Sequence, residues 1–354
     1  MDAVSTVDFH TAGEPFRIVA DASAALGGVP FVGDTVAERR VHAMAAGSAL
    51  DDLRRILCFE PRGHADMYGG FITPPDDDGA HFGVLFWHKD GFSTACGHGT
   101  IALGVWAVET GVVAAPDTGT TEVVIDVPSG RVTARVHTEA GLVTSVDFVN
   151  IASFVLATGV SVQTSRGDVL VDVSYGGAIY AQLNAASVGL SVEPGDIDAL
   201  IALGREVKWA LNDAAVAQHP DDPRQSGIYG TILFEQTPAP AASDASRPLA
   251  PHDAIVSQRN VTVFADGQVD RSPCGSGTAA RIATLAAEGT LTENGTLQHG
   301  SIVGSTFAGS ILSRTRVHGI DAVIPQVSGM AYRTGESTFT VDPRDPLTPG
   351  FVLR

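Results

Sequence analysis

The architecture of this chain follows from Ser272-Pro273-Cys274-Gly275-Ser276-Gly277-Thr278-Ala279-Ala280-Arg281. A related stretch lies far upstream, at Ala95-Cys96-Gly97-His98-Gly99-Thr100-Ile101-Ala102. Both contain the pattern Cys-Gly-x-Gly-Thr-x-Ala, and the small and apolar residues that follow each cysteine are typical of a buried helix. Because about half of the 354 residues separate the two cysteines, the sequence predicts two similar halves, each with one thiol at the start of a helix.

The position of each thiol at a helix start has chemical consequences. A cysteine thiol with a pKa of ~8.5 is mostly protonated at neutral pH, but the free N–H groups of a helix N-terminus stabilise the thiolate. The glycines beside each cysteine let the backbone approach a ligand closely. The amides of Gly97–Gly99 and Gly275–Gly277 are therefore candidates for holding an anion such as a carboxylate.

Two thiols on opposite sides of one carbon atom suit a racemisation. One thiolate takes the α-proton, the other thiol delivers a proton to the far face, and the roles exchange with the hand of the substrate. A carboxylate that is firmly held by donors stabilises the charge that develops. The alternative is that both cysteines are packing features, and one such motif alone would not decide the matter. Two copies, with Asp270 before one cysteine and His98 after the other, favour catalysis.

Composition and charge exclude several classes of protein. With 44% hydrophobic and 18% charged residues, the chain is an ordinary globular protein long enough for two lobes. The net charge of −18 disfavours non-specific binding to nucleic acid. No apolar run approaches the ~20 residues that cross a membrane. The first residues lack the basic and apolar regions of a signal peptide, so a cytoplasmic location is expected.

The sequence offers no site for a cofactor or a metal. Its three cysteines show no C-x-x-C spacing, so neither a disulfide framework nor a zinc site is expected. Cys58 lies in an apolar stretch and is predicted to be buried and structural, whereas Cys96 and Cys274 should be free thiols. Neither Lys89 nor Lys208 has the setting of a Schiff-base lysine. No phosphate-binding glycine motif is present.

Periodicity gives a coarse map of the elements. The sequence predicts an N-terminal lobe of residues 1–150 and a C-terminal lobe of residues 151–330, and leaves open whether 331–354 returns to the first lobe. The predicted elements are two strands within 5–20, helical segments within 35–57, a loop at 59–70, a strand at 82–88, a helix at 99–108, a strand at 169–173, a helix near 196–215, an exposed loop at 238–251, and strands at 301–316, 321–328 and 337–341.

Five motifs, spread over nearly the whole chain, carry a family resemblance. They are Asp8-Phe9-His10-Thr11-Ala12-Gly13-Glu14-Pro15, Glu60-Pro61-Arg62-Gly63-His64, Cys96-Gly97-His98-Gly99, Tyr175-Gly176-Gly177 and Asp270-Arg271-Ser272-Pro273-Cys274-Gly275-Ser276-Gly277. Together they closely resemble the proline racemase family, and the last motif is highly specific. The resemblance implies an α+β fold like that of diaminopimelate epimerase. In that fold two similar lobes of mixed sheet each wrap around a central helix, with the active site between the lobes.

The resemblance also implies the roles of individual residues. It implies chemistry without a cofactor on proline or hydroxyproline, and it leaves a homodimer open. The proton-transfer groups would be Cys96 and Cys274. The residues implied to bind substrate are His98 and Asp270 at its nitrogen, the amides around Gly97, Gly275 and Ser276 at its carboxylate, and Tyr68 and Phe264 in the ring pocket.

The family contains proline racemases, 4-hydroxyproline 2-epimerases and trans-3-hydroxy-L-proline dehydratases, and the sequence divides between them. Dehydratases typically keep the first cysteine and replace the second with threonine, so Cys274 favours reversible epimerisation. The surrounding stretches at 66–69, 83–86, 229–233 and 263–266 look most like the dehydratase branch. The sequence therefore predicts a racemase or 2-epimerase of proline or hydroxyproline, with the dehydratase as the alternative.

Overall fold

The computed structural model describes residues 3–238 and 255–353. The chain divides into two compact units, Met1–Val146 with Met330–Arg354, and Asp147–Gly329. The exposed loop predicted at 238–251 lies, from residue 239 onward, outside the described residues.

The first unit begins with a hairpin and contains a long buried helix. Its elements up to the boundary are β1 (Val4–Thr11), β2 (Glu14–Val19), α1 (Ala22–Ala25), α2 (Val36–Ala43), α3 (Ala49–Cys58), β3 (Tyr68–Thr73), β4 (Phe82–His88), β5 (Gly91–Phe92), α4 (Gly97–Glu109), β6 (Gly119–Val127), β7 (Gly130–Glu139) and β8 (Leu142–Val149), which crosses the boundary.

The second unit repeats this sequence of elements. It contains β9 (Ser153–Thr164), β10 (Gly167–Tyr175), β11 (Ile179–Asn184), α5 (Ile197–Leu211), β12 (Ile228–Gln236), β13 (Ile255–Phe264), β14 (Gln268–Val269), α6 (Gly275–Ala287), β15 (Thr296–Ser301), β16 (Thr306–Val317) and β17 (Ile320–Gly329). Short 3₁₀ turns occur at Ala185–Val188, Pro194–Asp196, Ala215–Ala217 and Pro223–Gln225. The last strand, β18 (Ala331–Phe339), belongs to the first unit.

In the first unit the strands form one mixed sheet in the order β18-β1-β2-β3-β4-β6-β7. The β2/β3 and β4/β6 pairs are parallel, and the other pairs are antiparallel. Helix α4 packs against β7, β1, β18 and β2, and its residues Gly97–Ala107 are all buried. A Cβ at Gly104 would lie 2.8 Å from that of Ala134, so glycine lets α4 approach β7.

In the second unit the strands close into a ring in the order β9-β10-β11-β12-β13-β15-β16-β17, and β17 pairs with β9. Helix α6 packs against β9, β10, β16 and β17 and is buried from Gly275 to Ala286, so the ring encloses it. A Cβ at Gly176 would lie 2.5 Å from the Ser276 carbonyl oxygen, so this turn reaches the first turn of α6 only as glycine.

The two units share one topology. In each, two antiparallel strands lead through a helical connection to a parallel neighbour, and a second hairpin precedes the buried helix. The strand after that helix is parallel to the strand before it, as β6 is to β4 and β15 is to β13. Both central helices are buried along nearly their whole length, and α6 carries Arg281 into the interior, where it donates to Gln258 and Gln182. The mixed α+β class implied by the family resemblance is confirmed.

Several element predictions are confirmed and three are wrong. The strand at 82–88 and the buried, structural Cys58 are as predicted, and Cys58, Cys96 and Cys274 are all free thiols. The loop predicted at 59–70 ends early because β3 begins at Tyr68. Gly69 suits that strand because a Cβ there would lie 2.2 Å from the Trp87 ring.

The other two errors concern strand ends. The strand predicted at 301–316 is two strands, because the chain turns through Gly304, which has φ +85°. The strand predicted at 337–341 instead spans Ala331–Phe339 and pairs with β1.

Candidate active site

Cys96 directly precedes the first residue of α4 and caps the helix with its sulfur. Its backbone is extended, with φ −155° and ψ 102°, and the Gly99 N–H donates to Sγ at 3.2 Å. A Cβ at Gly99 would lie 2.8 Å from this sulfur and 2.4 Å from the Phe16 ring. An N–H donor at a helix start stabilises a thiolate. The Gly99 N–H is thus hydrogen-bonded to the Cys96 sulfur, which leaves fewer of the amides at Gly97–Gly99 to bind an anion.

His98 lies beside this sulfur as a neutral imidazole. Its ring nitrogens are 3.5 and 3.6 Å from Cys96 Sγ, and its carbonyl accepts the Thr11 hydroxyl at 2.9 Å. Burial lowers the pKa of His98 to about 3, against the opposing effect of a hydrogen bond to the Pro15 backbone. At neutral pH the ring therefore interacts with its neighbours as a hydrogen-bonding group and carries no charge.

Tyr68 packs its ring against His98. The two rings are perpendicular with centroids 5.0 Å apart, and Phe16 meets the His98 ring edge-on at 5.8 Å. The Tyr68 hydroxyl is hydrogen-bonded to Ser93 Oγ, and both residues are buried. Sequence reasoning missed Phe16 and Ser93, although the apolar alternation of β2 marked Phe16 as a core residue.

Cys274 directly precedes the first residue of α6, but its backbone differs from that of Cys96. It has φ +64° and ψ 104°, in the left-handed region, and its side chain makes no capping hydrogen bond to the helix. Such a conformation in a residue with a Cβ costs about 1–3 kcal/mol and requires support from its surroundings. The Ser272 hydroxyl supplies it by accepting the Cys274 N–H at 3.0 Å.

Asp270 is the buried acidic group that faces this second thiol. It accepts hydrogen bonds from the Ser272 N–H at 2.8 Å and the Ser272 hydroxyl at 2.7 Å. Burial raises the pKa of Asp270 to about 6, against the effect of those bonds. Burial also raises the pKa of Cys274 well above its usual value, and the Asp270 charge raises it further. Cys274 is therefore a thiol at neutral pH.

A group of aromatic residues also lies near the Cys274 thiol. The Tyr180 hydroxyl is 2.7 Å from Ser276 Oγ and 3.8 Å from Cys274 Sγ. The Tyr180 ring meets Tyr229 edge-on at 5.7 Å, and Tyr229 stacks on Phe264 at 5.8 Å. Sequence reasoning missed Tyr180 and Tyr229 as site residues. Only the order of β11 and β12 in the ring brings them here.

The predicted site residues thus form two groups. In the first unit the structure brings Cys96, His98 and Tyr68 together at the start of α4, with Gly97 as the first helical residue. In the second unit it brings Cys274, Asp270 and Ser276 together at the start of α6, with Gly275 as the first helical residue and Phe264 joined through Tyr229 and Tyr180.

The proline racemase family model matches residues 6–352. The chain belongs to the proline racemase family. It is 44% identical to a 3-hydroxyproline 2-epimerase of Burkholderia multivorans, over 99% of this chain and 98% of that protein. It is 43% identical to a trans-3-hydroxy-L-proline dehydratase of Bacillus cereus, over the same shares of both proteins. The chain is therefore an enzyme of a family whose named members include isomerases and hydro-lyases.

Solved structures of the family share the fold. A hydroxyproline epimerase from Agrobacterium vitis, with bound trans-4-hydroxy-L-proline, has a TM-score of 0.86 and 29% identity. A probable proline racemase from Agrobacterium radiobacter K84, with bound carbonate, has a TM-score of 0.86 and 28% identity. Each comparison covers 99% of this chain and 96% of the other.

Within residues 3–238 and 255–353, no group of three or more histidine, cysteine or acidic side chains is arranged to hold a metal ion. In the same part of the chain, no helix is long and apolar enough to cross a membrane.

Proposed function

We propose that this enzyme is a cofactor-independent racemase or 2-epimerase of hydroxyproline or proline, with Cys96 and Cys274 as its acid/base pair at Cα. The observation that carries the proposal is that each buried cysteine directly precedes a buried helix, in surroundings of opposite effect. The Gly99 N–H favours the thiolate of Cys96, whereas at Cys274 burial and the Asp270 carboxylate outweigh the opposing effect of the Gly277 amide and favour the thiol. We infer that Cys96 acts as the base and Cys274 as the acid toward one hand of the substrate.

The reaction then needs only proton transfers. The Cys96 thiolate removes the α-proton as the Cα–H bond breaks and an S–H bond forms, and the Cys274 thiol delivers its proton to the opposite face of Cα. The reverse reaction exchanges the roles. Amides at Gly97, Gly275 and Ser276 would hold the carboxylate and stabilise the negative charge that spreads onto it.

His98 and Asp270 would position the ring nitrogen. Asp270, with a pKa of about 6, is ionised at neutral pH and pairs with the cationic nitrogen of the substrate. Neutral His98 contributes a hydrogen bond without repelling that cation. Tyr68 and Phe264 would line the pocket for the ring. A polar pair, the Tyr68 and Ser93 hydroxyls, lies on the Cys96 side and supports hydroxyproline as the substrate.

The second candidate is a trans-3-hydroxy-L-proline dehydratase, because a relative of that name is 43% identical over almost the full length. Its reaction would begin in the same way, with loss of the α-proton to Cys96. The electron pair would then expel the 3-hydroxyl group, which leaves as water after taking up a proton. The resulting enamine tautomerises to a cyclic imine. The fate of the 3-hydroxyl group therefore distinguishes the two functions.

The test is incubation with L-proline, trans-4-hydroxy-L-proline and trans-3-hydroxy-L-proline in D₂O, followed by NMR. For trans-3-hydroxy-L-proline we expect cis-3-hydroxy-D-proline with deuterium at Cα and the ring hydroxyl retained. A cyclic imine as the product would establish the dehydratase instead. Recovery of all three substrates without exchange at Cα would contradict both functions. The Cys96→Ser variant is the control for background exchange.

A further inference from the structure

Tyr180 joins two groups of the second cysteine site. It lies in β11, is fully buried, and directs its hydroxyl between Ser276 Oγ at 2.7 Å and Cys274 Sγ at 3.8 Å. Cys274 is the residue before α6 and Ser276 is the second residue of that helix. One phenol hydroxyl from a distant strand thus contacts two side chains of a single helix start.

The sheet and the neighbouring ring fix the Tyr180 side chain. Its strand pairs on one side with β10, where Tyr180 is opposite Ser174, and on the other with β12, where it is opposite Gly230. The Tyr229 ring meets it edge-on. Burial raises the pKa of Tyr180 well above its usual value, and the charge of a Cys274 thiolate raises it further. The phenol therefore stays neutral, with one hydrogen to donate.

That single hydrogen allows two arrangements. When Cys274 is a thiol, its S–H donates to the Tyr180 oxygen or to the Asp270 carboxylate. In the first case the Tyr180 O–H donates to Ser276 Oγ, and the Ser276 hydrogen is directed elsewhere. When Cys274 is a thiolate, the Tyr180 O–H donates to the sulfur and the Ser276 O–H donates to Tyr180. Buried donors are rarely left without an acceptor, so the two states exchange as a unit.

We propose that Tyr180 is a positioning residue that couples the ionisation of Cys274 to the direction of the Ser276 hydroxyl. The proposal rests on the proposed function, in which Cys274 transfers a proton at Cα and Ser276 helps to hold the carboxylate. When the Cys274 S–H gives its proton to Cα, the Tyr180 O–H turns to the new thiolate. No proton leaves Tyr180 or Ser276, and only the directions of their hydrogen bonds change.

Other groups around Cys274 act on the same equilibrium. The Asp270 carboxylate opposes the thiolate, whereas the Gly277 amide and the Tyr180 and Thr262 hydroxyls favour it. Arg271 acts on Asp270, and Tyr229 acts on Tyr180. Because Tyr180 is one of two hydroxyl groups that favour the thiolate, its removal should raise the pKa of Cys274 and leave the other contacts in place.

The test compares Tyr180→Phe with Tyr175→Phe, a matched loss of a buried hydroxyl in the same unit, where Tyr175 donates to Gln225. The ultraviolet absorbance of the Cys274 thiolate is titrated as the difference between each protein and its Cys274→Ser form. We expect Tyr180→Phe to move the titration upward by about one pH unit, and Tyr175→Phe to leave it in place. An unmoved titration in Tyr180→Phe would overturn the proposal.

A double-mutant cycle tests the link to Ser276. Ser276→Ala should shift the Cys274 titration in the wild-type background and should have no further effect in the Tyr180→Phe background. Equal shifts in both backgrounds would show that Ser276 acts without Tyr180. If Tyr180→Phe does not fold, Ser276→Ala alone decides, because an unshifted titration there contradicts the coupling.

The absorbance titration needs no turnover, so it separates this proposal from the proposed function. If the enzyme were inactive on every proline analogue, Tyr180 would have no role in catalysis, but the titration would still measure the coupling between Cys274 and Ser276. In an active enzyme, the basic limb of the kcat/KM pH profile should move upward with the titration in Tyr180→Phe. Activity that falls without any movement of that limb would assign Tyr180 a structural role only.

Discussion

Cys96 and Cys274 occupy equivalent places in two units of one topology, yet their surroundings differ in three ways. Cys96 has an extended backbone and Cys274 a left-handed one. The sulfur of Cys96 accepts the Gly99 N–H at 3.2 Å, whereas the Cys274 side chain makes no capping hydrogen bond and the Gly277 amide acts on it only by lowering its pKa. The first has a neutral histidine beside it and the second a carboxylate. A repeated motif thus repeats the buried helix but not the polar surroundings of its cysteine, and a two-base reaction, as proposed here, would use that difference.

The largest expected effect comes from removing each thiol in turn. Because general acid/base catalysis contributes about 10²–10⁴-fold, Cys96→Ser and Cys274→Ser should each lower kcat for epimerisation by about 10³-fold. The comparison also predicts a split between them. Cys274→Ser should retain exchange of the α-proton with D₂O for the substrate hand that Cys96 deprotonates, and Cys96→Ser should lose it. Equal residual exchange in both variants would contradict the assignment of roles.

The next effect tests the buried carboxylate through stability. Because the pKa of Asp270 is raised from 3.8 to about 6 in the folded state, its stabilising contribution is full below pH 3.8 and is lost as the pH rises through about 6. Asp270→Asn should therefore be more stable than the wild type at neutral pH, by up to about 3 kcal/mol. Urea unfolding at several pH values measures this. A variant less stable than the wild type at neutral pH would refute it.

The matched variant in the first unit has the opposite sign. The pKa of His98 is lowered from 6.5 to about 3, so its contribution is full above pH 6.5 and is lost as the pH falls toward 3. His98→Asn should remove the loss of stability that His98 causes as the pH falls from 6.5 toward 3. It should leave unchanged the gain in stability that Asp270 causes as the pH falls through about 6. The same unfolding series decides it, because an unaltered acid limb would mean that His98 is not buried as a neutral base.

The smallest effect concerns the glycines three residues after each cysteine. A Cβ at Gly99 would lie 2.4 Å from the Phe16 ring, whereas one at Gly277 would be no closer than 2.9 Å to any neighbour, the nearest being Cys274 Sγ. Overpacking of a buried site costs about 1–3 kcal/mol, so Gly99→Ala should lie at the upper end and Gly277→Ala at the lower end. Urea unfolding of both variants measures the difference, and equal costs would contradict the tighter packing at Gly99.

The sequence predicted the parts of the site that lie within one motif. The positions of Cys96 and Cys274 at helix starts and the burial of Cys58 follow from local patterns, and the mixed α+β class follows from the family resemblance. The left-handed backbone of Cys274 could not be predicted, since that conformation is rare for residues with a Cβ and is held here by Ser272.

Contacts that depend on how strands and helices pack together also could not be predicted from the sequence. Tyr180 meets Ser276 only because β11 borders α6, and Phe16 meets His98 only because β2 borders α4. Neither contact can be predicted from residue spacing, because the periodicity of one strand does not reveal which elements lie next to it in the fold.

The pairing of β1 with β18, from Val4 opposite Phe339 to Thr11 opposite Ala331, has a consequence for synthesis on the ribosome. Strand β1 can pair with β2 as soon as both are made, but it gains β18 only after the whole second unit has been made, because β18 follows that unit in the chain. The other edge of β1 stays open meanwhile, and an open edge can pair with another chain. Nascent-chain release experiments with truncations before residue 331 should therefore show the amino-terminal unit as the last part of the molecule to become resistant to protease.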